Sequence, residues 1–317
     1  MKARPLLWLL PLLTLGACLG LPANSFPDSL DTARLYQHRV AATEPAADTV
    51  PLVVPGAAWL EADLEGFLPE RTKLFYDLRG RGSSRAVKRN LKLSIESDVA
   101  DLEALRSRYS WERIDLLGWG YAGGVAIRYA LEHPEHVGNL LLVSPLPPRY
   151  APYWAEYQRR FSERIDMEAI AALDHWRATG RKAQDPAGYA SAYTRVSLAT
   201  FCFDPRDADR VRSTPYGIED PDPERVGRLK EAIFHRLGPW VVSPDSLAAL
   251  ERPVLIIHGD KDLLPLDGSR EYLEHLSQAQ LEVIPQCGRL PWIETPERFF
   301  ELAEAFLRTP ELSPSTP

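Results

Sequence analysis

Gly118-Trp119-Gly120-Tyr121-Ala122-Gly123-Gly124 decides how this 317-residue chain folds. It follows the apolar run Ile114 to Leu117 and opens onto Tyr121 to Leu131, a stretch with helical patterning. A strand, a glycine-rich turn and a helix in that order predict one repeat of an α/β fold. Working outward, further short apolar runs occur at Val50 to Val54, Lys73 to Tyr76, Leu140 to Val143, Val254 to Ile257 and Leu281 to Ile284. Amphipathic stretches separate them. In Ile95 to Tyr109, Ile95, Val99, Leu102 and Leu105 recur at spacings of four and three, and Ser269 to Leu276 and Pro296 to Leu307 also read as helices. Continuous apolar strands alternating with helices predict a mostly parallel, doubly wound sheet covered on both faces.

Between Ser144 and about Leu250 the pattern changes. Buried strands are not expected there; helices rich in aromatic and charged residues are, among them Tyr153, Trp154, Tyr157, Phe161, Trp176, Tyr189, Tyr193 and Trp240. A helical block inserted between two strands of a parallel sheet is placed as a cap over the crevice at the strands' carboxyl ends. The expected organisation is therefore a core over 49–145, a cap over 146–250 and the rest of the core over 251–308. A Pro/Ser-rich tail, 309–317, follows.

Other motifs stand in order around the glycine turn. Asp77-Leu78-Arg79-Gly80-Arg81-Gly82-Ser83-Ser84 follows the strand at Lys73, and Val54-Pro55-Gly56-Ala57-Ala58 follows the strand at Val50. Late in the chain come His258-Gly259-Asp260-Lys261-Asp262 and Gln286-Cys287-Gly288-Arg289-Leu290-Pro291-Trp292. Together these resemble the α/β-hydrolase fold, with a cap similar to that of proline-iminopeptidase-like members, over about residues 35 to 308. The resemblance implies a nucleophile elbow at Gly118 to Ala122, where the family has G-x-S-x-G. It also implies an oxyanion loop near Gly56 and Ala57, a catalytic-acid turn ending at Asp262, and a late G-H-x-P segment. The family order Ser, Asp, His falls on Gly120, Asp262 and Arg289.

That alignment removes the chemistry the fold usually carries. Acyl transfer needs a nucleophilic atom, a base to deprotonate it and a third group to orient the base. Gly120 has no side chain, and a guanidinium stays protonated at neutral pH, so Arg289 is no base. Pro55 stands where the family loop has histidine. Asp262 alone survives, and the sequence predicts that it pairs with Arg289 through a bidentate salt bridge. His258 and Ser83–Ser84 read as structural, and Cys287 has no histidine in its motif to activate it. The chain contains neither a metal-ligand spacing nor a phosphate loop, so no cofactor is expected.

The chain begins Met1-Lys2-Ala3-Arg4, runs apolar from Pro5 to Leu15 and reaches Leu15-Gly16-Ala17-Cys18. A basic start, a short apolar run and small residues before a cut form a secretory signal, here 1–17, and the run is too short to span a bilayer. Leu15 to Cys18 also resembles the lipobox of bacterial lipoproteins, which implies lipidation at Cys18. Residues 18–48 then read as a tether. With Leu19 after the cysteine, the family rule implies a periplasm-facing envelope protein, at the outer rather than the inner membrane. Losing the two positive charges of Lys2 and Arg4 takes the formal charge from −7 to −9, which gives no support to nucleic-acid binding. Cys202 and Cys287 remain, free or paired.

The leading expectation is a non-catalytic lipoprotein. It would bind a small ligand or a protein partner. The Asp262–Arg289 pair is expected to lock the old site shut. The other reading is an anion pocket among Gly56, Ala57, Gly120, Tyr121 and Arg289, which would suit a small acidic ligand, with the positive end of the helix from Tyr121 facing that space. Two alternatives stand beside it: a hydrolase, esterase or aminopeptidase-like, with a relocated nucleophile or base, and an interaction protein whose aromatic cap docks an envelope partner.

Overall fold

Among the described residues, seven strands form one sheet in the order β1-β3-β2-β4-β5-β6-β7. They span Gln37–Val40 (β1), Leu52–Pro55 (β2), Lys73–Tyr76 (β3), Ile114–Trp119 (β4), Val137–Val143 (β5), Val254–Gly259 (β6) and Ala279–Ile284 (β7). Only β1 runs antiparallel to its neighbour; every other pairing is parallel. The computed structural model describes residues 35–43, 49–56, 58–84, 93–212, 238 and 240–308. The leader, Cys18, Ala57 and the tail lie outside them.

β1 corrects the sequence reading, which placed Gln37–Val40 in the tether. The segment is Gln-His-Arg-Val, with two exposed and two half-buried positions, so it has no apolar run to announce it. It is strand because the β3 edge offers it a ladder, a tertiary cause rather than a local one.

The central strands are apolar on both faces and supply two cores. On one face, Leu74, Tyr76, Leu116, Leu140, Leu142, Val254 and Ile256 pack with helices α1 (Ile95–Arg108) and α2 (Tyr121–Glu132). The α1 stripe Ile95, Val99, Leu102 and Leu105 is wholly buried there, and Ser94 and Ser97 close the helix start with a capping box. On the other face, Val54, Phe75, Leu117, Leu141, Val143 and Ile257 meet Phe299, Ala303 and Leu307.

Between β5 and β6 lie the inserted helices α3 (Tyr153–Arg164), α4 (Met167–Ala178), α5 (Arg181–Gln184), α6 (Pro186–Phe201) and α7 (Pro244–Ala248). Helix α8 (Leu266–His275) follows β6, and α9 (Pro291–Glu294) and α10 (Pro296–Leu307) follow β7. Some cap aromatics form the insertion's own core: Tyr189 and Tyr193 pack with Ile170 and Leu173. Trp154 and Trp240 pack instead on Leu146, at the joint with the sheet. Among the described residues no helix is long and apolar enough to cross a membrane.

Candidate functional site

The sheet delivers each candidate residue to its carboxyl edge. Gly56 follows β2, Gly120 follows β4, Ser144 follows β5, Asp262 follows β6 and Arg289 follows β7. In an open parallel sheet this edge is where ligands bind, because the strand ends and the loops beyond them enclose a crevice.

Gly120 turns the chain from β4 into α2 at φ 57°, ψ −118°. Side-chain-bearing residues rarely adopt that φ, so the turn has the backbone conformation of a nucleophile elbow, and glycine relieves the strain a nucleophile would bring. The turn is tightly held. Gly120 N–H donates to Val143 O at 3.0 Å, and Gly120 O accepts from Gly123 N at 3.1 Å and Leu146 N at 2.8 Å. A Cβ on Gly118 would lie 2.7 Å from Gly123 Cα, so glycine there permits the strand and helix to approach. Gly56, at φ +69°, brings the β2 loop to the same place: a Cβ on it would lie 3.6 Å from Ala122 Cβ.

Arg289 and Asp262 meet, as Arg289 Nη1 donates to Asp262 Oδ1 at 3.2 Å. The expected two-bond fork does not form. Oδ1 also accepts from Leu264 N at 2.8 Å, while Oδ2 makes no well-formed hydrogen bond among the described residues. The guanidinium is instead turned toward the elbow, and its Nη2 lies 2.5 Å from where a Cβ on Gly120 would stand. The room expected for a ligand atom at Gly120 is therefore taken by Arg289 itself.

Arg289 is held there from several sides. Its N–H donates to Phe201 O at 2.9 Å, and Trp119 Nε1 donates to its carbonyl at 3.0 Å. Its guanidinium carbon stands 5.3 Å from the Trp119 ring centre and 5.9 Å from that of Phe201, within cation–π range. Trp119 in turn packs edge-on with Trp59 and Trp292, at 5.5 and 5.7 Å between centroids.

Asp262 is 1% exposed. Burial pushes its carboxyl up, but Arg289, then His258, the Ser144 hydroxyl and the Leu264 amide outweigh burial and hold it below its ordinary value. Burial lowers His258, whose ring nitrogens are engaged by Ser269 Oγ at 2.8 Å and Leu264 O at 3.1 Å. It is a residue of the turn, bonded to neither Asp262 nor Arg289. Burial pushes the Cys287 thiol up, away from the reactive thiolate. The Tyr121 hydroxyl donates to Asp98 at 2.9 Å, which directs that side chain toward α1 and leaves its backbone at the elbow.

Three features escaped the sequence reading. Ser144 sits at φ 44°, fully buried, with its hydroxyl close enough to favour an ionised Asp262 but not aligned for a full bond. Its one visible signal was position, directly after an apolar strand. Arg160 and Arg164 of the cap donate to the carbonyls of Asp262 (3.1 Å) and Lys261 (2.7 Å), fastening α3 to the acid turn. Glu294 accepts from the amides of Phe203, Gly288 and Leu290, joining the end of α6 to the Arg289 loop. Among the described residues, no group of three His, Cys, Asp or Glu side chains is placed to hold a metal ion.

Comparison with known proteins agrees with the fold. Residues 65–296 match the family model described as alpha/beta hydrolase fold. A pimeloyl-[acyl-carrier protein] methyl ester esterase of Nitrosomonas europaea is 27% identical over 240 residues, 72% of this chain and 82% of that protein. A proline iminopeptidase of Lactobacillus delbrueckii subsp. lactis is 26% identical over 254 residues, 75% of this chain and 80% of that one. Among solved structures, a serine hydrolase from Cycloclasticus zankles superposes with TM-score 0.62 at 20% identity, covering 88% of this chain and 96% of that one. The proline iminopeptidase of Mycobacterium smegmatis gives 0.60 at 20% identity, covering 86% and 94%.

Proposed function

Because the chain belongs to the alpha/beta hydrolase fold family, we propose that it is a non-hydrolytic member that binds a small carboxylate-bearing ligand at Arg289. The observation that carries the non-hydrolytic part of this reading is the placement of the Arg289 Nη2 atom in the slot beside Gly120. A permanent cation replaces both the nucleophile's space and the base, so the family's proton transfers have no donor–acceptor pair. That cation stands at the positive end of α2, where a positive charge is disfavoured. Asp262 offsets part of this, and an incoming carboxylate would be drawn by both the guanidinium and the helix end.

The relatives named as esterase and peptidase support a second reading, hydrolysis with a relocated nucleophile. The groups nearest the site do not favour it. Ser144 is fully buried, the Cys287 thiol is pushed up, and both nitrogens of His258 are occupied. What remains of the site would give at most ~10³–10⁴-fold over water.

In this reading the leader over 1–17 is removed and Cys18 is acylated, which tethers the domain to the periplasmic face of an envelope membrane, the outer one by the residue after the cysteine. Labelled palmitate entering the natural chain but not C18S would support that anchor.

The deciding experiment compares the natural protein with G120S/R289H on aryl esters and amino-acyl arylamides, beside a thermal-shift screen of small carboxylates. The expected result is silence from the natural protein, turnover by the variant, and a carboxylate-dependent rise in melting temperature that R289M abolishes. Turnover by the natural protein that purification does not remove would overturn the proposal and favour the second reading.

A further inference from the structure

The end of the cap and the loop carrying Arg289 run against each other as Phe201-Cys202-Phe203 and Cys287-Gly288-Arg289. Three observations fix their approach. Arg289 N–H donates to Phe201 O at 2.9 Å. The amides of Phe203 and Gly288 both end on the Oε2 atom of Glu294, each at 2.7 Å. A Cβ on Gly288 would lie 2.9 Å from the carbonyl carbon of Cys202. Each cysteine thus directly precedes a residue whose amide is bound to the same oxygen atom. Both are fully buried in the same apolar cluster and both are thiols here.

We propose that Cys202 and Cys287 are a modification site, an intramolecular disulfide that fastens the cap to the Arg289 loop. A disulfide needs Cα atoms within about 7 Å and converging Cβ vectors. The backbone of Cys202 lies against Gly288, the residue next to Cys287, so the proposal requires side-chain rotation and whatever backbone shift brings the two sulfurs together. The step is a thiol–disulfide exchange. The two cysteine thiols lose two protons and two electrons and form one S–S bond, while a small-molecule or protein disulfide is reduced to two thiols. Burial keeps both thiols protonated in the folded chain, so the exchange belongs to the folding chain or to moments when the cap lifts.

The link would close a loop containing β6, the Asp262 turn and β7. Constraining the unfolded chain in this way predicts a melting temperature higher by roughly 5–15 °C. It would also hold the Arg289 backbone where the side chain reaches Gly120, so oxidation would set the stiffness of the site. Because the proposal rests on the packing of α6 against the late loop, it stands whether or not a carboxylate binds at Arg289.

The test uses the full chain with C18S, which leaves Cys202 and Cys287 as its cysteines. The chain is unfolded with reductant, refolded in mixed glutathione and glutathione disulfide, then denatured with N-ethylmaleimide and weighed. The expected product has lost two hydrogens, carries no maleimide and yields a peptide joining Cys202 to Cys287. C202S and C287S should each carry one maleimide or one glutathione. Two maleimides on the refolded chain, or glutathione adducts and linked dimers in place of the joined peptide, would overturn the proposal. The same alkylation of chain exported to an oxidising compartment, without refolding, reads the pairing independently, and two maleimides there would equally overturn it.

Discussion

Nη2 of Arg289 stands 2.5 Å from the point a Cβ on Gly120 would occupy, so one residue fills the space the other leaves. The two positions are a coupled pair. Glycine at the elbow makes room for the guanidinium, and the guanidinium, anchored on Asp262, closes the slot that glycine opens.

Gly120→Ala should therefore destabilise the fold twice over, through a side chain at φ +57° and through contact with the guanidinium. The backbone part alone is worth ~1–3 kcal/mol. In an R289A background only the backbone part remains, so the cost of G120A should fall. Urea unfolding of the four proteins measures the coupling. Equal costs of G120A in both backgrounds would show that Arg289 does not occupy the slot in solution.

Asp262 gives a pH prediction. Its folded pKa lies below the ordinary 3.8, so its contribution is fully present above the ordinary carboxylate range and is lost as pH falls through the folded value. Arg289→Met removes the charge that holds it down and leaves a buried carboxylate, at a cost of roughly 3–5 kcal/mol near neutral pH. The gap between natural protein and variant should narrow as pH falls below that range. Unfolding curves across acid and neutral pH would show it, and a gap constant with pH would refute the pairing.

The fold was legible because its signals are local. The glycine turn between Leu117 and Tyr121, the α1 stripe and four-residue apolar runs report on buried elements whatever surrounds them. Strand β1 was not legible, since an exposed Gln-His-Arg-Val edge becomes strand only through its neighbour. The meeting of Asp262 and Arg289 followed from motif order, but the geometry did not. Which way a guanidinium turns depends on Trp119, Phe201 and Leu264, brought in by three separate segments. Glu294, Arg160 and Arg164 look like ordinary surface charges until the cap is docked.

The cap clamp is open to a direct test. Arg160 and Arg164 each donate to a backbone carbonyl of the acid turn, and both side chains are partly exposed. Replacing both with alanine should cost about 1–2 kcal/mol, the low end for charge-assisted bonds because water competes. Hydrogen exchange should quicken in α3 and in residues 260–264 and stay unchanged in α1. Uniform change across the chain would mean that the arginines contribute only to global stability.

Glu294 makes the last prediction, and its sign is opposite to that of Asp262. Burial raises its carboxyl above the ordinary 4.5, and the three amides it accepts from recover only part of the shift. A raised folded pKa means that the folded chain binds the proton more tightly than the unfolded chain. Stability from Glu294 is therefore greatest below 4.5 and declines as pH rises through the folded value. Glu294→Gln keeps the shape but offers one oxygen to amides that now use two. Keeping that oxygen toward Phe203 and Gly288 turns the amide NH₂ toward the Leu290 N–H. One unsatisfied buried donor costs ~1–3 kcal/mol. Since the variant does not titrate, its deficit against the natural protein should be largest in acid and smaller at neutral pH. Thermal or urea unfolding of the pair at both pH values decides the sign. A deficit that grows toward neutral pH would mean that the amides dominate and that Glu294 is a favourable buried anion.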